Sequence, residues 1–236
     1  MDPLLISAAS GMRARMDSLD MLANNLANSG TSGFKADREF YSLMQDALPM
    51  VQRNWTDFSQ GDLVPTGNPL HLGLDGKGFF ALNSPGGTVY TRNGEFRISK
   101  ANQLETAEGF TLRNTSDEGK PITVSPDVPI VIERDGTVQQ AGQAVGKIEM
   151  MAVPDPSLSL SKQGNSYFAI DTPGLKPTPA DRIEIRQGSL EQSNVPVGDG
   201  AIRLVSVMRQ FEMLQRALTM GAEMNRRAVE DVAKVS

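Results

Sequence analysis

The residues of this sequence that could do catalytic chemistry are few and scattered. The chain of 236 residues has one histidine, His71, and no cysteine. This excludes thiol nucleophiles, cysteine-ligated metals and disulfides, and it leaves a Ser-His-Asp triad only one possible imidazole. Because His71 lies between Leu70 and Leu72 and has no second histidine with which to share a metal, we interpret it as a strand residue.

Short motifs elsewhere match catalytic patterns only in part. Ser32–Lys35 and Ser159–Lys162 have the SxxK spacing of some hydrolases, but neither has the KTG or SDN companion that those enzymes carry. Gly73, Gly76 and Gly78 do not fit a phosphate-binding GxGxxG or GxxxxGK[ST] loop, so we interpret them as turn and bulge residues. The sequence therefore predicts no catalytic residue, no cofactor and no metal, and a protein that is not an enzyme.

Charge and hydropathy narrow the class of partner. The formal net charge is −5 and no segment has the basic excess that phosphate contacts need, so we expect no nucleic acid partner. The apolar runs are far shorter than the roughly 20 residues that cross a bilayer, so we expect no membrane insertion. The opening Met1–Pro3 lacks the positive segment of a secretory signal, and we expect no cleaved signal peptide.

The elements that position the remaining residues begin with a long helix at each end. Residues 3 to 28 follow a capping Asp2, start with Pro3 and end before Ser29, and residues 201 to 235 contain no proline and one glycine. Apolar and small residues recur in both at alternating steps of three and four, the spacing of a coiled-coil seam. The candidate interface residues on these seams are Leu5, Ala9, Met12, Met16, Leu19, Ala23 and Leu26 at one end, and Leu204, Met208, Phe211, Gln215, Leu218, Ala222, Asn225 and Val229 at the other.

Helices with such stripes need partners, because a lone amphipathic helix is marginal in water. Val207, Leu214 and Gly221 widen the C-terminal stripe, which predicts packing against more than one neighbour. We expect the helices to pair and to leave apolar surface that other copies of the chain cover; pairing within one monomer alone is the simpler alternative. In the isolated subunit we expect both helices to be largely disordered or aggregation-prone.

Amide side chains near the seams are candidates for setting the register between subunits. Asn24, Asn25 and Asn28 lie near the end of the first helix, and Gln215 and Asn225 lie on the second seam. A buried polar residue fixes register in coiled coils. For the three asparagines, a plain helix-end role is an equal alternative, since Asn tolerates the left-handed conformation found there.

The middle of the chain, residues 70 to 192, is predicted to be an antiparallel β domain. Asn93-Gly94 and Asp135-Gly136 lie between short β-type runs and predict hairpin turns. Further strands are predicted at Gly78–Leu82, Phe110–Leu112, Ile122–Val124, Ile148–Val153, Tyr167–Ile170 and Ile183–Ile185.

The predicted fold class is α+β, with terminal heptad helices forming a coiled-coil-like helical domain and an antiparallel β-rich domain inserted between them. Residues 1–35 would form the N-terminal axial helix and signature, 70–192 the β-rich domain and 193–236 the C-terminal axial helix. Residues 36–69 would form a connector strap. The helical spacing of Phe40, Leu43, Met44 and Ala47 predicts a short helix within that strap.

Several motifs resemble those of the bacterial flagellar rod and hook proteins. Ser10–Met12 and Leu19–Lys35, the latter reading LDMLANNLANSGTSGFK, are similar to the N-terminal signature of that family. Its other motifs are matched by Gly76–Phe80, Tyr90–Phe96 and Gln187–Val195, so the resemblance spans the chain. The short connector and the segment RQFEM at residues 209–213 resemble the proximal-rod members more than the distal-rod members.

This resemblance implies a structural subunit of the flagellar basal-body rod, the shaft that transmits torque to the hook. It implies self-assembly through the terminal helices with other copies and with neighbouring rod proteins, with the β domain outside. It also implies passage through the flagellar type III export apparatus and a location in the rod within the periplasmic space. The alternatives are a distal-rod subunit, a β-domain binding protein or hydrolase dimerised by a coiled coil, or an export-stage adaptor.

Overall fold

The computed structural model describes residues 3–43, 49–164, 166–180 and 182–235, and the chain forms two compact units. The helical unit comprises Met1–Ala27, Asp37–Thr56 and Pro196–Ser236. The β unit comprises Asn28–Ala36 and Asp57–Val195. These units are defined by packing, so the division of the chain into four successive segments stays a prediction.

The helices and strands have the following bounds, each type numbered along the chain. The helices are α1 (Pro3–Ala27), α2 (Pro156–Ser159) and α3 (Val197–Val235). The strands are β1 (Asp37–Leu43), β2 (Pro49–Thr56), β3 (Leu63–Pro65), β4 (Leu72–Asp75), β5 (Phe79–Ser84), β6 (Gly87–Thr91), β7 (Arg97–Ile98), β8 (Leu104–Glu105), β9 (Thr111–Leu112), β10 (Ile130–Ile132), β11 (Thr137–Gln140), β12 (Gln143–Lys147), β13 (Met150–Ala152), β14 (Leu160–Lys162), β15 (Tyr167–Ile170), β16 (Thr178–Pro179), β17 (Glu184–Gln187) and β18 (Ser189–Glu191).

The helical unit consists of α1 packed against α3, with a β-hairpin that also contacts α1. Helix α3 begins at Val197, earlier than the predicted start near residue 201. Gly198 and Gly200 lie in its first turn, where Asp199 supplies the negative charge that suits a helix N-terminus. Within the described residues, no helix is long and apolar enough to cross a membrane.

The hairpin replaces the short helix predicted in the connector, and that prediction was wrong. Strands β1 and β2 pair antiparallel from Asp37 opposite Thr56 to Leu43 opposite Pro49, with a bulge after Phe40. Met44 and Ala47 lie outside the described residues. Antiparallel pairing along the whole of β1, with a second strand that contains Val51, Trp55 and Thr56, outweighs a spacing of four residues that also fits a helix. Short apolar patterns do not distinguish a helix from a strand.

The β unit is built from antiparallel pairs. Its largest sheet has the order β14-β15-β6-β5-β9-β8-β7, and β13 joins it beside β5 and also pairs with β16. Strands β10, β11 and β12 form a meander, while β4 pairs with β17 and β3 with β18. The α+β class with an antiparallel β-rich domain and terminal helices is confirmed.

The strand predictions had mixed outcomes. The hairpin at Asp135-Gly136 is confirmed, since Ile132 lies opposite Val138. The hairpin at Asn93-Gly94 is wrong, because β6 turns back onto β5 and Gly94 is pressed against Leu72, where a Cβ would lie 1.7 Å from the Leu72 carbonyl oxygen.

The remaining predicted strands can be compared one by one. Ile122–Val124 forms no strand beyond an isolated bridge at Thr123, although Ile122 and Val124 are buried in the core. The other five predicted strands overlap β5, β9, β13, β15 and β17.

Two apolar clusters form the core of the β unit. The larger one contains the fully buried Leu72, Leu74, Phe80, Leu82 and Leu104, together with buried residues of β6, β9, β10, β11, β15 and β17. The smaller one centres on three rings in edge-to-face contact: Phe58, Phe79 and Phe168 have centroids 4.9 to 5.9 Å apart.

Candidate functional site

A buried ionic cluster joins three segments that are distant in the sequence. The ammonium group of Lys35 lies 2.5 Å from Glu191 Oε1, and Arg92 Nη1 lies 3.0 Å from Glu191 Oε2. Lys35 ends the N-terminal signature, Arg92 lies in the motif Tyr90–Phe96, and Glu191 lies in Gln187–Val195. Three of the motifs singled out in the sequence therefore meet at one carboxylate.

Each charged side chain of the cluster takes part in a further hydrogen bond, although the buried Arg92 Nε has no partner among the described residues. Lys35 Nζ also donates to the Ser59 carbonyl, 2.6 Å away, and the Gly61 N–H donates to Glu191 Oε1 over 3.0 Å. Arg92 Nη2 donates to the carbonyl oxygen of Gly76. Such pairing is what allows charges to remain inside a protein.

Burial controls the electrostatics of the cluster. The side chains of Lys35 and Glu191 are fully buried and that of Arg92 is 3% exposed. Burial lowers the pKa of Lys35 below its usual value because water no longer solvates the ammonium ion, while Glu191 opposes the shift. The same two causes act on Arg92, whose pKa is also lowered. No substrate can reach these groups, so the cluster holds the fold together rather than performing a reaction.

Backbone geometry explains the residues that precede Lys35. Gly33 has φ +66°, and a Cβ there would lie 2.3 Å from the Arg92 carbonyl carbon and from the Asn93 nitrogen. Its N–H donates to the Glu191 carbonyl over 2.7 Å. Phe34 is fully buried, and Lys162 Nζ lies 4.3 Å from its ring centroid. Phe34 therefore anchors the end of the N-terminal signature inside the β unit.

Asn194, near the end of the motif Gln187–Val195, forms hydrogen bonds with residues close to the ionic cluster in the sequence. Its Oδ1 accepts from the Ala36 N–H over 2.8 Å, and its Nδ2 donates to the carbonyls of Asp57 and Ser59 over 2.7 and 3.1 Å. The sequence analysis did not single out Asn194; its place in the motif was the only signal that could have found it.

His71 has an ordinary structural environment. Its Nδ1 lies 3.0 Å from Thr66 Oγ1, and the residue forms a β-bridge with Glu95. Among the residues that the structure describes, no three His, Cys, Asp or Glu side chains are grouped so that they could hold a metal ion.

In the helical unit, the side of α1 that is covered within the chain differs from the predicted seam. Among the side chains of α1 that the structure describes, the buried ones are Ala14, Ser18 and Asn25, and a Cβ on Gly11 would touch Leu214 at 3.8 Å. Of the predicted seam, Ala9, Met16 and Ala23 are exposed, whereas Met12, Leu19 and Leu26 are half-buried. The side chain of Leu5 is outside those described.

The three asparagines at the end of α1 have different environments. Asn25 is buried and clamps the first residue of β1: its Nδ2 donates to the Asp37 carbonyl over 2.7 Å, and its Oδ1 accepts from the Asp37 N–H over 2.9 Å. Asn28 is buried in the β unit, where Thr31 Oγ1 donates to its Oδ1 over 3.3 Å. Asn24 is exposed. Asn25 therefore has a role within the chain, which the interface prediction did not include.

On α3 the residues with reduced exposure also follow heptad steps, but the seam is shifted. Leu204, Phe211 and Leu218 of the predicted seam are half-buried, as are the widening residues Val207, Leu214 and Gly221. Met208, Gln215 and Ala222 are exposed, and the side chains of Asn225 and Val229 are outside those described.

The sequence analysis missed the opposite face of α3. Ile202, Met213, Met220 and Met224 are 72%, 61%, 64% and 70% exposed. The seven-residue step from Met213 to Met220 is the signal that could have found this second stripe, but the first stripe dominated the pattern. An isolated chain thus presents large apolar side chains to water, which marks an interaction surface.

Three protein families match segments at the beginning, in the middle and near the end of the chain. Residues 5–35 match the family described as Flagella basal body rod protein. Residues 73–140 match the Flagellar hook protein FlgE/F/G D1 domain, and residues 186–230 match the Flagellar basal body rod FlgEFG protein C-terminal family.

Relatives that match along nearly their whole length are also named flagellar basal-body rod proteins. The chain is 31% identical to the flagellar basal-body rod protein FlgF of Caulobacter vibrioides and 31% identical to FlgF of Mesorhizobium japonicum, with all of both chains covered in each case. FlgG of Caulobacter vibrioides is 27% identical over 93% of this chain and 95% of its own length. The chain belongs to the flagellar basal-body rod protein family.

The buried ionic cluster joins the three segments that match the family. Each matched segment contributes one member: Lys35 from 5–35, Arg92 from 73–140 and Glu191 from 186–230. The protein is a structural subunit of the basal-body rod and not an enzyme, and it is more similar to these two FlgF proteins than to this FlgG protein. The surfaces that matter for function are therefore those that can contact other subunits.

Proposed function

We propose that this chain is a proximal-rod subunit of the FlgF type, which assembles through its terminal helices with other copies and with neighbouring rod proteins and so transmits torque. The observation that carries the proposal is the apolar surface of the helical unit. Helix α3 exposes Ile202, Met213, Met220 and Met224, a stripe that a soluble monomer gains nothing by presenting to water.

Assembly would cover both this stripe and the predicted seams of the two helices, in the manner of a coiled coil or a wider bundle. Ala9, Met12, Met16, Leu19, Ala23, Asn24, Leu26 and Asn28 of the N-terminal segment are the candidate contacts on one side. Leu204, Met208, Phe211, Gln215, Leu218, Ala222, Asn225 and Val229 are the candidates on the other. Helices buried on several sides gain more from packing than a pair in water does.

The proposal includes the route to the rod. The chain would pass through the flagellar type III export apparatus and reside in the periplasmic part of the basal body. Secretion that persists when the export apparatus is disabled would contradict this part.

The test uses a strain of the source bacterium that lacks the gene for this chain. Complementation with Met220→Asp should abolish swimming and remove the chain from purified basal bodies, because a carboxylate would be buried without a partner in the assembled rod. The matched control is Val131→Asp, which places the same charge on a strand residue of the β unit that is 51% exposed. It should swim normally.

Two further results decide the proposal. Failure to find the unmodified chain in purified basal bodies would overturn it, as would normal swimming of the Met220→Asp strain. Immunogold labelling along the rod separates the FlgF position from the FlgG position, since a proximal subunit should be labelled only at the membrane end.

A further inference from the structure

The exposed face of α3 carries charge as well as apolar surface. Arg209 and Arg216 are seven residues apart and alternate with Met213 and Met220, so all four lie on one side of the helix. We call this side, with Ile202 and Met224, the methionine–arginine face. Arg209 and Arg216 are exposed, and neither forms an ion pair with any residue that the structure describes.

The exposed face of α1 has the complementary character. Asp17 and Asp20 lie on it with Met16 and the small residues Ala9, Ala23 and Ala27, and all six are exposed. We call this side the alanine–aspartate face. Within the described part of the chain, neither aspartate forms an ion pair. Arg13 lies one turn earlier on the same side, so the negative charge is confined to the turn of Asp17 and Asp20.

The two faces match in shape. Alanines allow a neighbouring helix to approach closely, and methionines are long and flexible enough to fill the space above them. The step of seven between Met213 and Met220 equals the step between Ala9, Met16 and Ala23, so every second turn of one helix can meet every second turn of the other.

The two faces also match in charge. An arginine pair opposite an aspartate pair is attractive at an interface from which water is excluded, whereas the methionine–arginine face against a copy of itself would bring arginines together.

We propose that the methionine–arginine face of one subunit docks on the alanine–aspartate face of a second copy of the same chain. This proposal rests on the proposed function and names the surfaces that it uses. The contact joins two different faces, so each copy keeps one face free for the next copy. A heterologous contact of this kind propagates instead of closing into a two-fold dimer.

The experiment is a charge exchange in the full chain, expressed in the strain that lacks the gene. One variant carries Asp17→Lys with Asp20→Lys, a second carries Arg209→Glu with Arg216→Glu, and a third carries all four changes. All of them alter only exposed side chains. Circular dichroism of each purified variant checks that its spectrum matches that of the unmodified chain.

Each single-face variant should reduce the amount of chain in purified basal bodies by about tenfold or more, since like charges then face each other. The four-fold variant restores the attraction and should recover at least half of the unmodified level. The control Asp127→Lys, on an exposed residue of the β unit, should have no effect.

The possible outcomes are distinct from those of the proposed function. If the unmodified chain is in the basal body but the single-face variants incorporate equally well, this inference is overturned and the proposed function stands. If the single-face variants fail and the four-fold variant fails equally, the faces contact a different rod protein and the pairing of two copies is wrong. Recovery by the four-fold variant alone supports the pairing.

Discussion

At the scale of single residues, a few buried polar groups hold distant segments of the chain together. The motifs that contain Lys35, Arg92 and Glu191 are visible in the sequence, but their meeting is not. Charged residues are expected at the surface, and nothing in one sequence pairs positions that are far apart. Only the folded structure shows that the carboxylate of Glu191 pairs with both Lys35 and Arg92.

Replacing Glu191 should therefore be severe. Glu191→Gln removes the negative charge and leaves Lys35 and Arg92 facing each other in a buried site. Breaking a buried pair in this way costs about 3–5 kcal/mol, because the remaining charges have no compensation. Urea denaturation followed by circular dichroism measures the loss in free energy of unfolding.

The control for this change is Asp117→Asn, which breaks the pair between Lys120 and Asp117. Both side chains are more than half exposed, at 69% and 53%, so solvent already screens their attraction. The expected loss is below about 1 kcal/mol. Equal losses for the two variants would contradict the account of the cluster.

Gly33 offers a second residue-scale prediction. Gly33→Ala forces a Cβ into the backbone of Arg92 and Asn93, in addition to the cost of a left-handed conformation. Gly174→Ala isolates that second cost, because Gly174 has φ +81° and open space around its Cβ position. Gly174→Ala should cost about 1–2 kcal/mol of unfolding free energy, and Gly33→Ala about 1–3 kcal/mol more. A Gly33→Ala variant as stable as Gly174→Ala would refute the steric argument.

At the scale of elements, hydrophobic periodicity predicted the two long helices well and the use of their faces poorly. The heptad steps through Leu204, Phe211 and Leu218 fit two overlapping seams, one continuing through Met208 and the other through Val207. The structure covers the second within the chain. A sequence pattern shows that a wide stripe needs cover, but it does not show which part a neighbour in the same chain takes.

The connector illustrates the same limit for strands. Phe40 and Leu43 satisfy a helical spacing, and the chain nevertheless pairs β1 with β2. Strand pairing depends on a partner segment, so it leaves a weak local signal. Asp135-Gly136 was predictable because a turn residue with positive φ is a local requirement, and Gly136 has φ +88°.

Helix α3 should be the least protected long element of the free subunit. It packs on α1 along one side only, whereas β5 and β6 lie inside a sheet with buried residues. Local opening is easier where few apolar contacts must be broken. Hydrogen–deuterium exchange on the purified full chain should show faster exchange in residues 200–235 than in 79–91.

The control for that measurement is the same chain in purified basal bodies, where exchange in residues 200–235 should slow. Equal protection of α3 and of β5 and β6 in a free monomer would mean that the stripes of the helices are already satisfied.

At the scale of the whole molecule, the β unit and the helical unit have different characters. The β unit buries two apolar clusters and an ionic cluster, so it has a core of its own. The helical unit leaves large apolar side chains in water and is completed by other subunits in the proposed rod. The sequence predicted the family and the fold class because long motifs and periodicity are local properties. It did not predict the exposed face of α3, since exposure depends on the packing of the folded chain.

The most direct test of the central claim is the accessibility of α3 before and after assembly. The chain has no cysteine, so Met220→Cys introduces a single reactive thiol on the methionine–arginine face, and Val131→Cys provides the matched thiol on the β unit. Maleimide labelling should be rapid for both in the free subunit. In purified basal bodies, labelling at residue 220 should fall about tenfold or more relative to residue 131. Equal labelling of residue 220 in the free and the assembled state would contradict the claim that this helix mediates assembly.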